Sequence, residues 1–230
     1  FTDEHKRKVR AHYAGLVKQI DHEVGEIVET LRDKGILYST AVIFSTDHGD
    51  PLGDHDLMGK STFFESAVRI PLVVSLPRTA EGSVSADLVE LRDITATILR
   101  LAGRDVPGYM DAQTLPGLGL SDAPSRSHVF GMLSDGWMAF DGRFKLCKYS
   151  SGFQALFDLE SDPQEQDNLF DAAEHATDYR RLDILLCREI MRSTQAANAY
   201  NEVFIPQQDD LWTSREFGRS GWQRTYPKSL

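Results

Sequence analysis

The residues able to do chemistry concentrate in one stretch, Ser45-Thr46-Asp47-His48-Gly49-Asp50-Pro51-Leu52-Gly53-Asp54-His55-Asp56-Leu57-Met58-Gly59-Lys60. Asp47 and His48 are adjacent. A carboxylate oxygen beside an imidazole nitrogen suits several divalent cations if the backbone turns sharply enough for both to reach one ion. Gly49 eases such a turn. Two ligands do not complete a cation's shell, so others must come from elsewhere. By residue type alone the pair also fits a turn followed by a surface histidine. Asp50, Asp54 and Asp56 read as a solvated acidic loop rather than as ligands. His55 stays open between a supporting or substrate-contacting role and an exposed loop position. Lys60, thirteen positions after Asp47, is either a surface lysine or a point charge facing an anionic substrate oxygen.

The elements that must hold this stretch can be read on both sides of it. Ala41 to Phe44 is a strand, apolar on both faces, as in the middle of a parallel sheet covered by helices. The chemical loop leaves its C-terminal end, the edge at which open α/β sheets bind ligands. Upstream, residues 3 to 34 predict one long helix. Val9, Tyr13, Leu16, Ile20, Val24, Ile27 and Leu31 form a single buried stripe, with Thr2 or Asp3 as the N-terminal cap and Gly35 ending it. Downstream, Leu72 to Leu76 is a second buried strand, stopped by Pro77, and residues 87 to 102 form a helix.

Residues 104 to 127, rich in Gly, Pro, Asp and Ser, read as a long surface connection. Beyond it the pattern changes to short strands at 129 to 132, 137 to 140, 143 to 149 and 156 to 159. Asp135-Gly136 and Asp141-Gly142 supply turns, so an antiparallel meander is expected. A helix near 175 to 196 would pack on it through Leu182, Leu185, Leu186 and Met191. The expected class is therefore α/β. Residues 1–120 contribute part of a mixed, mostly parallel sheet flanked by helices. Residues 121–200 form a small α+β subdomain with an antiparallel sheet, and 201–230 a tail.

The chain has 230 residues and a net charge of −10, with no basic run, which argues against nucleic acid. No apolar run approaches the roughly 20 residues that span a bilayer. Cys147 and Cys187 lie outside any metal-ligand spacing and read as two buried or semi-buried thiols. The first residue is Phe1, so the absence of a leader segment says nothing about compartment.

Asp47-His48-Gly49, then Leu52-Gly53-x-His55, Lys60, and Phe64-Glu65-Ser66-x-Val68-Arg69-x-Pro71-Leu72 resembles the second signature region of sulfatases, within the alkaline phosphatase superfamily. The helix Asp93 to Gly103, the strands around Phe140 to Leu146, and Leu156 to Leu169 with its Asp162-Pro163-x-Glu165-x-x-Asn168-Leu169 ending resemble the family's later segments in the same order. The resemblance covers about residues 10 to 172 and implies the C-terminal half of such an enzyme. It implies that Asp47 and His48 bind a divalent cation, calcium first and manganese or zinc otherwise. Lys60 would contact the sulfate, with His55 as a second catalytic candidate. Glu65 and Arg69 would form an ion pair supporting the loop. Pro163 and side-chain caps would fix a turn.

The family's nucleophile is a formylglycine made from a Cys/Ser-x-Pro-x-Arg motif, and neither Cys147 nor Cys187 has that context. The resemblance thus places formylglycine, and the aspartates completing the cation site, in an N-terminal half that would be this chain's partner. The chain alone is expected to be inactive. For the intact enzyme it implies hydrolysis of sulfate monoesters, sulfated sugars among them, and an exported location. Two rival readings are a phosphonate monoester hydrolase or phosphodiesterase of the same superfamily, and a non-catalytic sulfated-glycan binder using Trp137, Trp212 and Trp222.

Overall fold

The computed structural model of the chain describes residues 1–77, 82–122 and 124–203. By contacts the chain divides into two compact units, Phe1–Leu186 and Cys187–Leu230. In the first, α1 (Asp3–Asp33) is capped by Thr2, whose hydroxyl accepts the His5 amide at 3.3 Å. It ends as expected at Gly35, where φ is +70° and the amides of Gly35 and Ile36 close back on Arg32 and Leu31. Its apolar stripe, however, is not buried. Leu16, Ile20 and Ile27 are 59%, 54% and 60% exposed, and no residue of the helix is buried.

After α1 come β1 (Val42–Ser45), a four-residue helix α2 (Glu65–Val68), β2 (Leu72–Ser75) and α3 (Arg92–Leu101). The mostly parallel sheet expected here is not what these strands form: β1 and β2 pair with each other antiparallel, Val42 opposite Ser75 and Ser45 opposite Leu72. A four-residue apolar run signals burial but carries no strand direction. The outer positions of this ribbon, Phe44 and Val73, are 37% and 61% exposed.

The meander is as the turns imply. β3 (Val129–Met132), β4 (Gly136–Phe140), β5 (Phe144–Tyr149) and β6 (Gln154–Asp158) form one antiparallel sheet in that order. At the β4–β5 turn Gly142 takes φ +97°, and the Asp141 carboxylate accepts the amides of Arg143 and Phe144 at 3.0 and 2.8 Å. Both faces of the sheet are covered. Met138, Cys147, Ala155 and Phe157 pack against Phe63 from the loop before α2. Leu146 and Leu156, which alternate with them, are fully buried, as are Leu182 and Leu186 of α4 (Ala176–Val203). Lys148 binds Asp183 at 2.6 Å, and the Tyr179 hydroxyl donates to Gln154 at 3.0 Å, fixing α4 on that side.

The Asp162–Leu169 segment works by caps, as expected. Asn168 accepts the amides of Leu156 and Phe170 and donates to the Gln154 carbonyl, while Asp162 accepts the amide of Asp167. In the second unit the described residues are the rest of α4, where Arg192 pairs with Glu189 at 2.7 Å. Met191 there is 59% exposed, not packed in the core as expected. Cys147 is buried and its thiol is pushed up to about 12 by desolvation, whereas Cys187 is exposed, correcting the expectation of two sheltered thiols. Of the tail, residues from 204 onward, with Trp212 and Trp222, lie outside the described residues. No described helix is long and apolar enough to cross a membrane.

One consequence for stability follows from β6. Asp158 is 3% exposed and receives two parallel bonds from Arg143, at 3.0 and 2.7 Å. The Arg143 hydrogen bonds, outweighing desolvation, hold its carboxyl at about 2. The unfolded value is near ~4. Because the folded value is the lower one, the linked stability is full above about pH 4 and is lost as pH falls through about 2. Urea midpoints recorded between pH 5 and 2 should fall less steeply for Asp158→Asn than for the wild type. Equal slopes would show that another group carries the acid sensitivity.

Candidate metal and anion site

β1 delivers its last residue, Ser45, against the entry to β2, where the Ser45 hydroxyl donates to the Pro71 carbonyl at 2.9 Å. The chain then turns out into the loop carrying Asp47 and His48. Asp47 Oδ1 accepts the His48 amide at 3.0 Å and the Thr46 hydroxyl at 3.3 Å. Desolvation pushes the Asp47 carboxyl up, but the His48 amide and imidazole and the Thr46 hydroxyl more than offset it, so it titrates below the ordinary value. The carboxylate is largely exposed.

The tautomer of His48 follows from its two neighbours. Nδ1 lies 2.8 Å from the Gly49 carbonyl, which can only accept, so Nδ1 carries the proton. Nε2 lies 2.8 Å from the Lys60 ammonium, which can only donate, so Nε2 presents its lone pair. That lone pair is 3.3 Å from Asp47 Oδ2. Two donors about 2.3 Å from a shared ion and at right angles to each other stand about 3.3 Å apart. The pair therefore fits two adjacent positions on a divalent cation. No group of three or more His, Cys, Asp or Glu residues able to hold a metal occurs among the described residues.

Gly49 is needed for a reason different from the one its residue type suggests. Its amide donates to the Ala67 carbonyl at 2.8 Å, and a Cβ there would stand 2.0 Å from the Ser66 carbonyl oxygen. Close approach, not turn freedom, demands glycine. The three acidic residues read as solvated each have a structural partner. Asp50 accepts the amides of Leu52 and Gly59, both at 3.0 Å, and staples the loop shut. Asp54 and Asp56 are exposed but bind Arg10 and Lys6 of α1, each at 2.7 Å. Gly53, at φ +92°, lets the Lys6 stem pass where a Cβ would approach it to 2.7 Å.

Lys60 and His48 are thus brought together with Asp47. His55 instead takes φ 52° and stacks flat on Phe64, ring centroids 3.7 Å apart. The expected Glu65–Arg69 ion pair is not what supports the loop: Arg69 is exposed, and Glu65 binds Lys145 of β5 at 2.6 Å. Lys145 also binds Glu165 at 2.7 Å and the Phe63 carbonyl at 2.9 Å. Lys145 and Glu165 had no sequence signal as a site support, since a lysine in a strand reads as a surface residue. Glu165 stands in the recognisable Asp-Pro-x-Glu ending, whose partners only the fold reveals. Trp137 lies half-buried in β4 opposite Lys148.

Comparison with known proteins points to one family. The family model Sulfatase matches residues 1–104. Arylsulfatase K of Xenopus laevis is 31% identical over 187 residues, 74% of this chain and 35% of that protein. A phosphonate monoester hydrolase from Silicibacter pomeroyi superposes with a TM-score of 0.74 at 28% identity, covering 83% of this chain and 42% of its own. A protein solved with its substrate D-glucosamine-2-N,6-O-disulfate superposes at TM-score 0.70 and 23% identity, covering 84% and 41%, which shows the shared fold. The chain spans 35%, 40% and 44% of the length of three curated relatives it matches, sulfatases of Xenopus laevis, Clostridium perfringens and Rhizobium meliloti.

Proposed function

We propose, from the premise that this chain belongs to the sulfatase family and represents its C-terminal half, that it supplies the Asp47–His48–Lys60 side of the active site of a metal-dependent sulfuric ester hydrolase. The observation that carries this is the convergence of Asp47 Oδ2 and Lys60 Nζ on Nε2 of His48, at 3.3 and 2.8 Å. Asp47 and His48 would hold the divalent cation, calcium in the first instance, which supplies positive charge to polarise the sulfuryl oxygens.

The residues of this chain divide the remaining work. Asp47 and His48 present a carboxylate and a neutral imidazole fixed by the Gly49 carbonyl. Nε2 has one lone pair, so it serves either the Lys60 ammonium or a cation. Lys60 would face an anionic ester oxygen, where a partly desolvated point charge would stabilise the transition state. His55, stacked on Phe64, would form one wall of the substrate site.

The nucleophile, expected as formylglycine, and further cation ligands would come from the N-terminal half. The same half would cover the exposed stripe of α1, where Leu16, Ile20 and Ile27 need an apolar neighbour. In this reading residues 1–120 are the core portion, 121–200 the small subdomain and 201–230 a tail, and the chain alone has no turnover. Sulfated sugars are the substrate class we favour, in line with the sulfated glucosamine bound by a protein of the same fold. The family resemblance also favours export. A second reading, phosphonate monoester hydrolysis, is supported by the 28% identity to the Silicibacter pomeroyi enzyme.

An activity panel on the whole enzyme tests both. Sulfate monoesters should give the highest kcat/KM, abolished by a chelator and restored by calcium. Preference for a phosphonate monoester would install the second reading. Robust turnover by the 230 residues alone would overturn the half-site assignment.

A further inference from the structure

Lys145 is fully buried, yet it is a charged residue at the second position of β5. All three of its protons are placed: on the Phe63 carbonyl at 2.9 Å, on Glu65 Oε1 at 2.6 Å and on Glu165 Oε1 at 2.7 Å. The second oxygen of Glu165 accepts the Glu65 amide at 2.6 Å. Glu165, itself 3% exposed, is held for this by a left-handed backbone, φ 57°. One ammonium and one carboxylate from the small sheet and its following loop therefore grip the backbone and side chain of a three-residue segment, Phe63–Glu65.

That segment governs what faces the substrate. Lys60 lies three residues before Phe63 in the chain. Phe64, between the two gripped residues, carries the stacked ring of His55 on one side and meets Phe157 of β6 on the other, at 3.7 and 6.0 Å between centroids. The Phe63 ring is fixed among Met138, Cys147 and Ala155. A buried ion pair is poor support for stability by itself, because a well-packed apolar residue would do as well. Directional bonds that converge on one carbonyl, one amide and two carboxylates instead specify a position.

We infer that Lys145, together with Glu165, is a positioning residue that sets Lys60 and His55 for the ester through the Phe63–Glu65 segment. The activity part of this rests on the sulfatase reading, whereas the positional part stands on the contacts alone. Two variants test it in the whole enzyme: Lys145→Met, and the milder Glu65→Gln, which leaves the buried Lys145–Glu165 pair intact and keeps the test open if the first fails to fold. Amide hydrogen exchange across residues 58–68 should quicken about tenfold in either variant, with α1 and α3 unchanged. Each should lower kcat/KM about ten- to a hundredfold, as displacements near an ångström do. In a Lys60→Ala background the same substitutions should cost clearly less than in the wild type, because part of their effect acts through Lys60.

Unchanged exchange over 58–68, or losses that simply multiply with Lys60→Ala, would overturn the inference. If the wild-type enzyme turns over no sulfate ester, the sulfatase reading fails, and the exchange result still decides whether Lys145 positions the segment.

Discussion

Asp47→Ala in the whole enzyme should lower kcat/KM for a sulfate monoester by more than about a hundredfold, which is about 2.7 kcal/mol of transition-state stabilisation. The loss should appear as a shift of calcium activation to higher concentration. In the proposed half-site Asp47 provides one of the two ligand atoms, and its Oδ2 sits 3.3 Å from His48 Nε2, the spacing of neighbouring positions on one ion. Replacing groups that merely orient a ligand already costs ten- to a hundredfold in metal affinity, so a ligand itself sets a higher floor. Removal of the carboxylate also leaves the Lys60–His48 contact unopposed, which holds the ammonium on the nitrogen the cation needs. Lys60→Ala is the informative contrast. It should cost kcat about ten- to a thousandfold through the lost charge, with calcium activation unshifted or at lower concentration. Calcium dependence identical in Asp47→Ala and wild type would remove Asp47 from the cation site.

Much of the scaffold around this site is legible in the residues. The 3–4 spacing and capping of α1, the Asp-Gly turns of the meander and the run of caps after Asp162 are local signals, and local signals survive into the fold. Strand direction is not local. The apolar runs of β1 and β2 look the same whichever way they pair, and the antiparallel ribbon they form could not be told from a parallel one. The exposed stripe of α1 has a related cause: periodicity says that a face seeks cover, not which part of a protein supplies it.

The site shows the same division. Asp47, His48 and Lys60 lie within one loop; type and spacing left them open, and the resemblance singled them out, while the structure adds which atoms each nitrogen of His48 faces. The supports were hidden because their partners are distant. Glu65 is 80 residues from Lys145, and Lys145 is 20 from Glu165. Arg10 reaches Asp54 across 44 residues. Arg69 was the nearer and more obvious partner for Glu65, and proximity in sequence misled. A buried lysine has no signature in a strand where burial is read from apolar alternation.

Arg126→Met should destabilise the fold by about 3–5 kcal/mol, the usual cost of leaving a buried charge without its partner. Asp93, at the start of α3, is 1% exposed and carries the ends of three segments at once. It accepts the amides of Glu90 and Gln113 at 2.8 and 2.9 Å, and both of its oxygens bind the Arg126 guanidinium, one of them at 2.8 Å. Thr97, one turn on and also fully buried, accepts the Leu115 amide at 2.8 Å. The connection between α3 and the small sheet is therefore organised around one carboxylate, and the cation bound to it among the described residues is Arg126, which is 12% exposed by its side chain. Methionine keeps most of the volume and removes the charge, so the loss reads the unpaired Asp93 rather than a cavity. The double variant Arg126→Met with Asp93→Asn should recover part of the loss, since a neutral amide is cheaper to bury alone than a carboxylate. Equilibrium urea unfolding of the three proteins measures this directly. A single variant within about 1 kcal/mol of wild type would mean that the two backbone amides already compensate the buried charge, and that Arg126 packs without anchoring the connection.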